Sequence, residues 1–225
     1  MGNEPNAERS ADDVEVRAHP CFARRAIRYL KVYKLRFCFV LTAKLSDHIA
    51  IAEKLRLFTL LLTRQVKLGR GVRLGKAVSM SRFARYSFGR GTRIGDRCVL
   101  EVGSSTVAEL FVGEDSWISH DCHIQANTTM TIGSNVLIGE FSSIRDTSHS
   151  FDDLNMNIRE QQDRFGKITI EDNVWIGRGV AIIANGRALT IQSGAIIAAN
   201  AVVTKAVEKN GIYGGVPARL IGRRA

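Results

Sequence analysis

His149 closes the tetrapeptide Asp146-Thr-Ser-His149, inside a stretch from Ile144 to Ile170 that interrupts an otherwise regular spacing of aliphatic residues. An imidazole with a pKa of about 6.5 is suited to take a proton near neutral pH, and such a base typically contributes about 10²–10⁴-fold in rate. The interruption is about 23 residues long, and excursions of that length from a compact fold are usually functional or disordered. Asp146, Asp152 and Asp153 are close enough in sequence to orient the ring or to meet hydroxyl groups, although acidic loop residues are commonly just solvated. The plainer reading of His149 itself is a surface histidine with no role. His120 and His123 lie in the regular part, where a structural or groove-lining role is the simpler account.

The elements that must position these side chains announce themselves by rhythm. Aliphatic residues, usually followed by glycine, recur as Leu68-Gly69, Leu74-Gly75, Phe88-Gly89, Ile94-Gly95, Val102-Gly103 and Val112-Gly113. The series continues through Ile118, Ile124, Ile132, Ile138 and Ile144, then resumes as Ile170, Ile176, Ile182, Ile191, Ile197 and Val203. Most steps are six residues, with wider ones at Met80 to Phe88, Ile94 to Val102, Val102 to Val112, Ile124 to Ile132 and Ile182 to Ile191. Four positions after most of them stands a small or β-branched residue, such as Thr92, Cys98, Ser116, Cys122, Ser142, Val180 and Ala201. A period of six with two inward positions is not helical and is too regular for ordinary hairpins. It predicts short strands carrying one large and one small residue inward, joined at corners where glycine avoids a Cβ clash, and stacked into a solenoid because no single turn buries its apolar side alone.

Residues 1–17 are polar and aperiodic and read as a disordered tail. Residues 18–65 turn to Leu, Ala, Arg and Lys and read as two basic helices with a break near Ser46-Asp47. Arg24, Arg25, Arg28, Lys31, Lys34 and Arg36 make that segment either a solvated face packed against the main domain or an interfacial helix on anionic lipid. The chain has 32 Lys+Arg against 22 Asp+Glu, a formal charge of +10 over 225 residues, which favours anionic partners without choosing among them. Cys21, Cys38, Cys98 and Cys122 form no CxxC pair, so a reducing cytosol is the default. The apolar runs Phe37 to Ala43 and Leu57 to Thr63 fall short of the about 20 residues a bilayer span needs, and the polar start lacks the apolar core of a secretory signal. Nucleic acid is disfavoured, since no reading module or aromatic platform is present.

The most specific segments are Thr131-Ile-Gly-Ser-Asn-Val-Leu-Ile-Gly139, Ile168-Thr-Ile-Glu-Asp-Asn-Val-Trp-Ile-Gly177, Val202-Val-Thr-Lys205 and Gly214-Gly-Val-Pro-Ala-Arg219. From Leu68 to the C-terminus the chain resembles the hexapeptide-repeat acyltransferases, in particular the galactoside, maltose and nodulation-factor group and those acting on capsules and exopolysaccharides. The resemblance implies a mainly β fold, a left-handed parallel β-helix over residues 66–225, with N-terminal helices and a long loop extruded near residues 145–168.

The same resemblance implies acyl transfer from acetyl-CoA, in which His149 takes the acceptor proton. It implies Trp175 beside the active groove and the backbone at Gly177 and Arg178 facing the thioester. Ala198 and Ala199 match the coil approached by the pantetheine arm, and Thr204, Lys205 and Arg219 match positions around the nucleotide end of the coenzyme, whose phosphates favour cationic side chains. Ser119 and Asn127 match places where small-sugar members hold the acceptor, and Asp146 is expected to contact it beside them. One departure is Ala184-Asn-Gly-Arg187, which replaces the usual Pro-Gly turn after the tryptophan strand.

The resulting expectation is a cytoplasmic homotrimer, peripheral on the inner membrane face through residues 20–65, that O-acetylates a carbohydrate hydroxyl of a surface polysaccharide or lipid-linked glycan precursor. Three alternatives stand beside it: N-acetylation of an amino sugar, a solenoid without catalysis, and zinc catalysis of the γ-carbonic-anhydrase type through His120, His123 and His149. In that last class the single histidine precedes the close pair, the reverse of the order here.

Overall fold

The computed structural model describes residues 65–81, 84–103 and 108–224. The disordered tail and the basic helices expected over residues 1–17 and 18–65 lie outside the described residues, apart from Gln65.

Six coils follow one another, each made of three short strands. The first holds β1 (Val66–Leu68), β2 (Arg73–Leu74) and β3 (Ser79–Met80); the second β4 (Arg85–Phe88), β5 (Arg93–Ile94) and β6 (Val99–Val102). The third holds β7 (Glu109–Val112), β8 (Trp117–Ile118) and β9 (His123–Ala126); the fourth β10 (Thr129–Ile132), β11 (Leu137–Ile138) and β12 (Ser143–Arg145). Strands β13 (Thr147–His149) and β14 (Asp163–Phe165) then leave the stack. The fifth coil is β15 (Lys167–Ile170), β16 (Trp175–Ile176) and β17 (Ala181–Ile183); the sixth is β18 (Ala188–Ile191), β19 (Ile196–Ile197) and β20 (Val202–Val203). At the end, β21 (Gly211–Gly214) extends the second face and β22 (Arg219–Arg223) turns back antiparallel along it.

Corresponding strands pair in parallel and in register, giving three faces of six, eight and six strands, the arrangement of the expected left-handed parallel β-helix. Face 1 begins with β1, face 2 with β2 and face 3 with β3. Register stacks like on like: Ile94, Ile118, Ile138, Ile176 and Ile197 form one buried column of face 2. Each such side chain, fully removed from water, contributes about 1.5–3 kcal/mol.

The small inward position does more than fill space. Thr92 Oγ1 donates to Gly113 O and Ser116 Oγ to Gly133 O, each at 2.8 Å, while Ser142 Oγ donates to Gly177 O at 3.1 Å. Cys98 and Cys122 do the same toward Ser119 O and Gly139 O. A buried hydroxyl or thiol therefore has its partner at a corner one coil further on, as burial demands. The two stacked thiols diverge, hydrogen bonding between them lowering the pKa of Cys98 and raising that of Cys122.

The corner glycines are dictated by proximity. A Cβ at Gly139 would stand 2.6 Å from the Arg178 amide nitrogen of the next coil.

Two readings of the rhythm change. The wide step from Ile94 to Val102 is a miscount, because Leu100 takes the inward place on face 3. The remaining wide steps, together with the interruption after Ile144, all fall where face 3 passes to face 1. That corner carries the chain's irregularity.

Candidate active site

The interruption is an ordered excursion. β13 and β14 form an antiparallel hairpin, with Thr147 opposite Phe165, Ser148 opposite Arg164 and His149 opposite Asp163, and one 3-10 turn at Ile158–Glu160 beyond them. The hairpin closes where the Gly166 amide donates to Asp146 O at 2.7 Å. It rests on the next coil: Ser148 Oγ donates to Asn185 Oδ1, and a Cβ at Gly166 would meet Ala184 O at 2.3 Å. The Ala184-Asn-Gly-Arg187 turn is thus a seat for the hairpin, at the corner between faces 3 and 1.

His149 is exposed, and its Nδ1 lies 2.7 Å from Asp163 Oδ1. With the Nδ1 proton donated to that carboxylate, Nε2 is left with its lone pair, the tautomer a base requires. The orienting acid is Asp163 and not Asp146, Asp152 or Asp153. Asp152 pairs with Arg164, and Asp153 Oδ1 accepts from the Asn155 amide. Asp163 was missed because its partnership depends on hairpin register; reading Asp146 and Gly166 as the closing pair would have found it.

Asp146, expected to bind acceptor, is fully buried. Its carboxylate accepts from the Asn127 amide at 2.8 and 2.9 Å, the Thr128 amide at 2.7 Å, Thr128 Oγ1 at 2.9 Å and Thr147 Oγ1 at 3.0 Å. A carboxylate so saturated anchors the root of the hairpin and has no place for a sugar hydroxyl. Asn127 belongs to the same cradle, its Nδ2 donating to Thr147 Oγ1.

The other expected residues divide between two corners. Ser119, Gly177 and Ala198 stack with Gly95 and Gly139 between faces 2 and 3, each amide bonded to the strand of the following coil. Arg178 and Ala199 come next in their turns, and Arg219 pairs beside Gly214 at the foot of this corner. Trp175 stands exposed on face 2, in register with the exposed Leu137 and Trp117. His149, Asn127, Thr204 and Lys205 belong to the corner between faces 3 and 1. Face 3 separates the corners by roughly 15 Å, at about 3.3 Å per strand residue. One protomer therefore does not unite His149 with Trp175 and the Gly177-Arg178 backbone, nor Ser119 with Asn127.

The three histidines are dispersed, each on its own carboxylate. His120 Nδ1 is 2.9 Å from Asp121 Oδ2, and His123 Nε2 is 3.1 Å from Glu101 Oε2, with Arg145 Nη2 donating to its Nδ1 at 3.2 Å. Among the described residues no three His, Cys, Asp or Glu side chains converge as metal ligands would. Arg97 also donates twice to Asp121, at 2.7 and 2.6 Å. These bonds, Arg97 first and His120 second, lower the Asp121 pKa to about 2, and Asp121 in turn raises that of Arg97.

No protein-family model matches the chain. It is 31% identical to the galactoside O-acetyltransferase of Escherichia coli, over 54% of this chain and 68% of that protein. The chain belongs to the hexapeptide-repeat acetyltransferase family. Another relative of the family, a putative acetyltransferase of Schizosaccharomyces pombe, is 34% identical over 48% of this chain, and the match spans only half of that protein's length.

Among solved structures of the family, a hexapeptide-repeat acetyltransferase from Vibrio cholerae in complex with acetyl coenzyme A superposes with a TM-score of 0.51 at 27% identity, covering 81% of this chain and 82% of that one. AntD, an N-acyltransferase from Bacillus cereus in complex with dTDP and 3-hydroxybutyryl-CoA, shares the fold at a TM-score of 0.65 and 21% identity, covering 80% of this chain and 92% of its own.

Proposed function

We propose that this protein uses acetyl-CoA to O-acetylate a carbohydrate hydroxyl, in a surface polysaccharide or lipid-linked glycan precursor, and that it works as a homotrimer. The observation that carries the reading is the His149–Asp163 pair, held at 2.7 Å on a hairpin that leaves the prism between the fourth and fifth coils. Leu137 and Trp175 are exposed on face 2 of those same two coils. The hairpin presents Phe151, Leu154, Met156, Ile158 and Phe165, also exposed. An apolar arm and an apolar ladder at one height, separated by a face of the prism, suit a neighbour whose arm covers the ladder and brings His149 to the Gly177-Arg178 corner.

In that arrangement Nε2 of His149 takes the hydroxyl proton as the oxygen attacks the thioester carbon. The Arg178 amide region donates to the developing oxyanion, and the thiolate of coenzyme A leaves. Bound acetyl-CoA supplies the activated acyl group. Ala198 and Ala199 keep their corner narrow for its arm, and Arg219, Thr204 and Lys205 meet its phosphates, the latter two from the neighbouring copy. Distant binding energy then positions the reacting atoms.

Charge extends the reading to location. Lys67, Arg70, Arg73, Lys76, Arg85, Arg90, Arg93 and Arg97 crowd the first two coils, continuing the basic composition of residues 20–65, and support peripheral contact with the inner membrane face from a cytoplasmic position.

The test is thiol release from acetyl-CoA with a panel of hydroxyl and amino glycosides, for the wild type and for His149→Ala, together with co-expression of His149→Ala and Trp175→Ala subunits. Acceptor-dependent release that is lost in H149A and partly restored in the mixed assembly is expected. Release only with amino acceptors, or an unaffected H149A, overturns the reading.

A further inference from the structure

The corner between faces 2 and 3 carries a side chain that the acyl-transfer reading leaves unused. In each of its turns the third residue adopts the left-handed backbone region: Ala77 (φ 54), Arg97 (φ 56), Asp121 (φ 57), Phe141 (φ 61), Gly179 (φ 65) and Asn200 (φ 59). Glycine, asparagine and aspartate enter that region readily, whereas a bulky residue crowds its own Cβ against the following carbonyl. Phe141 is the one aromatic in the column.

The ring is held despite its backbone. The His120 imidazole, from the coil before, meets it edge-on with centroids 5.6 Å apart and planes at 89°. From the coil after, the Arg178 guanidinium lies 5.1 Å from the ring centroid. Both partners are themselves anchored: His120 Nδ1 on Asp121 at 2.9 Å, and Arg178 Nε on Glu140 at 3.2 Å. The neighbour of Phe141 in the next coil is Gly179, which has no side chain, and the ring is 52% exposed.

We infer that Phe141, flanked by His120 and Arg178, is the acceptor platform of this enzyme, stacking against the C–H face of a pyranose ring while the imidazole and guanidinium meet the hydroxyls at its rim. The inference rests on the proposed acyl transfer and deepens it. A sugar has one apolar face and a hydroxyl edge, which match an aromatic ring with donors on its border. A wholly apolar ligand would leave His120 and Arg178 unmatched, and a polyanion would meet Asp121 and Glu140. Position agrees as well: Phe141 is one coil from the Gly177-Arg178 backbone and two from Ala198-Ala199, so a sugar here lies on the side of the thioester away from the coenzyme's nucleotide end.

Phe141→Asn and Phe141→Tyr distinguish a binding role from a structural one. Asparagine already occupies the left-handed region at Asn135, Asn173, Asn200 and Asn210, so F141N is expected to melt at or above the wild-type temperature. With methyl β-galactoside, methyl α-glucoside and maltose as acceptors, the KM for the best of them rises about tenfold in F141N, as expected for loss of a ring contact. The KM for acetyl-CoA is unchanged, and F141Y, which keeps the ring, restores the acceptor KM. An unchanged acceptor KM in F141N overturns the inference, and so does a parallel rise for acetyl-CoA, which would make the ring a support of the corner. A wild type that releases no thiol with any of the three overturns the acyl-transfer reading itself and takes the platform with it.

Discussion

Replacing Asp163 by asparagine keeps the size of the side chain opposite His149 while removing its charge. The pair spans 2.7 Å, with side-chain exposures of 72% for His149 and 40% for Asp163, so water and ions screen it and offer the imidazole substitute partners. What asparagine cannot do is favour one tautomer, because its NH2 group competes to donate to Nδ1 and would turn the Nε2 lone pair into an N–H. One charge-assisted hydrogen bond at a wet site is worth about 1–1.5 kcal/mol after screening, which converts to about tenfold in kcat. Loss of the base itself in His149→Ala costs about 10²–10⁴-fold. Since Asp163 acts only through His149, the double variant falls no further than H149A. Initial rates of thiol release at saturating acetyl-CoA, measured for the four proteins of this cycle, check the argument. If D163N retains the wild-type kcat, or if the two losses multiply, Asp163 does not position the base.

Asp146→Ala removes a fully buried carboxylate and strips the partner from the half-buried Asn127 and Thr128 amides, and unfolding in urea is expected to show a loss of about 3 kcal/mol or more; a loss below about 1 kcal/mol contradicts the cradle. Gly139→Ala drives a methyl to 2.6 Å from the Arg178 nitrogen and is expected to lower the melting temperature sharply, which differential scanning calorimetry reads directly. Asp121 has a folded pKa of about 2, below its ordinary 3.8, so its ionisation supports the fold above pH 3.8 and that support disappears as pH falls through about 2. Arg97→Ala removes the larger cause of the shift. It is expected to flatten the dependence of melting temperature on pH between 4 and 2, and an unaltered dependence refutes the assignment.

The solenoid was legible because its determinants are local and repeated. A six-residue beat of Ile and Val, glycine where coils touch, and a small inward residue after each are all written in the chain. The one slip, Val102 for Leu100, arose where a longer strand buries two residues of the same face. Site geometry was less legible. His149 stood out because it interrupts the beat, whereas Asp163 is joined to it only by hairpin register, which composition does not encode. Asp146 carries the same residue type as an acceptor ligand and could be told from one only by the Asn127, Thr128 and Thr147 donors that surround it. The division of Ser119 and Asn127 between two corners follows from counting strands around the prism, a step that the linear motif match does not take.

Since the chain leaves the stack at Asp146 and re-enters it at Gly166, bound to each other by one 2.7 Å contact, the coils above and below keep their pairing whatever lies between. Residues 150–162, beyond the His149–Asp163 pair, are therefore a cassette. A descendant of this protein can lengthen, shorten or exchange them without disturbing a single column of the interior, and so remodel the approach to His149 on an unchanged frame.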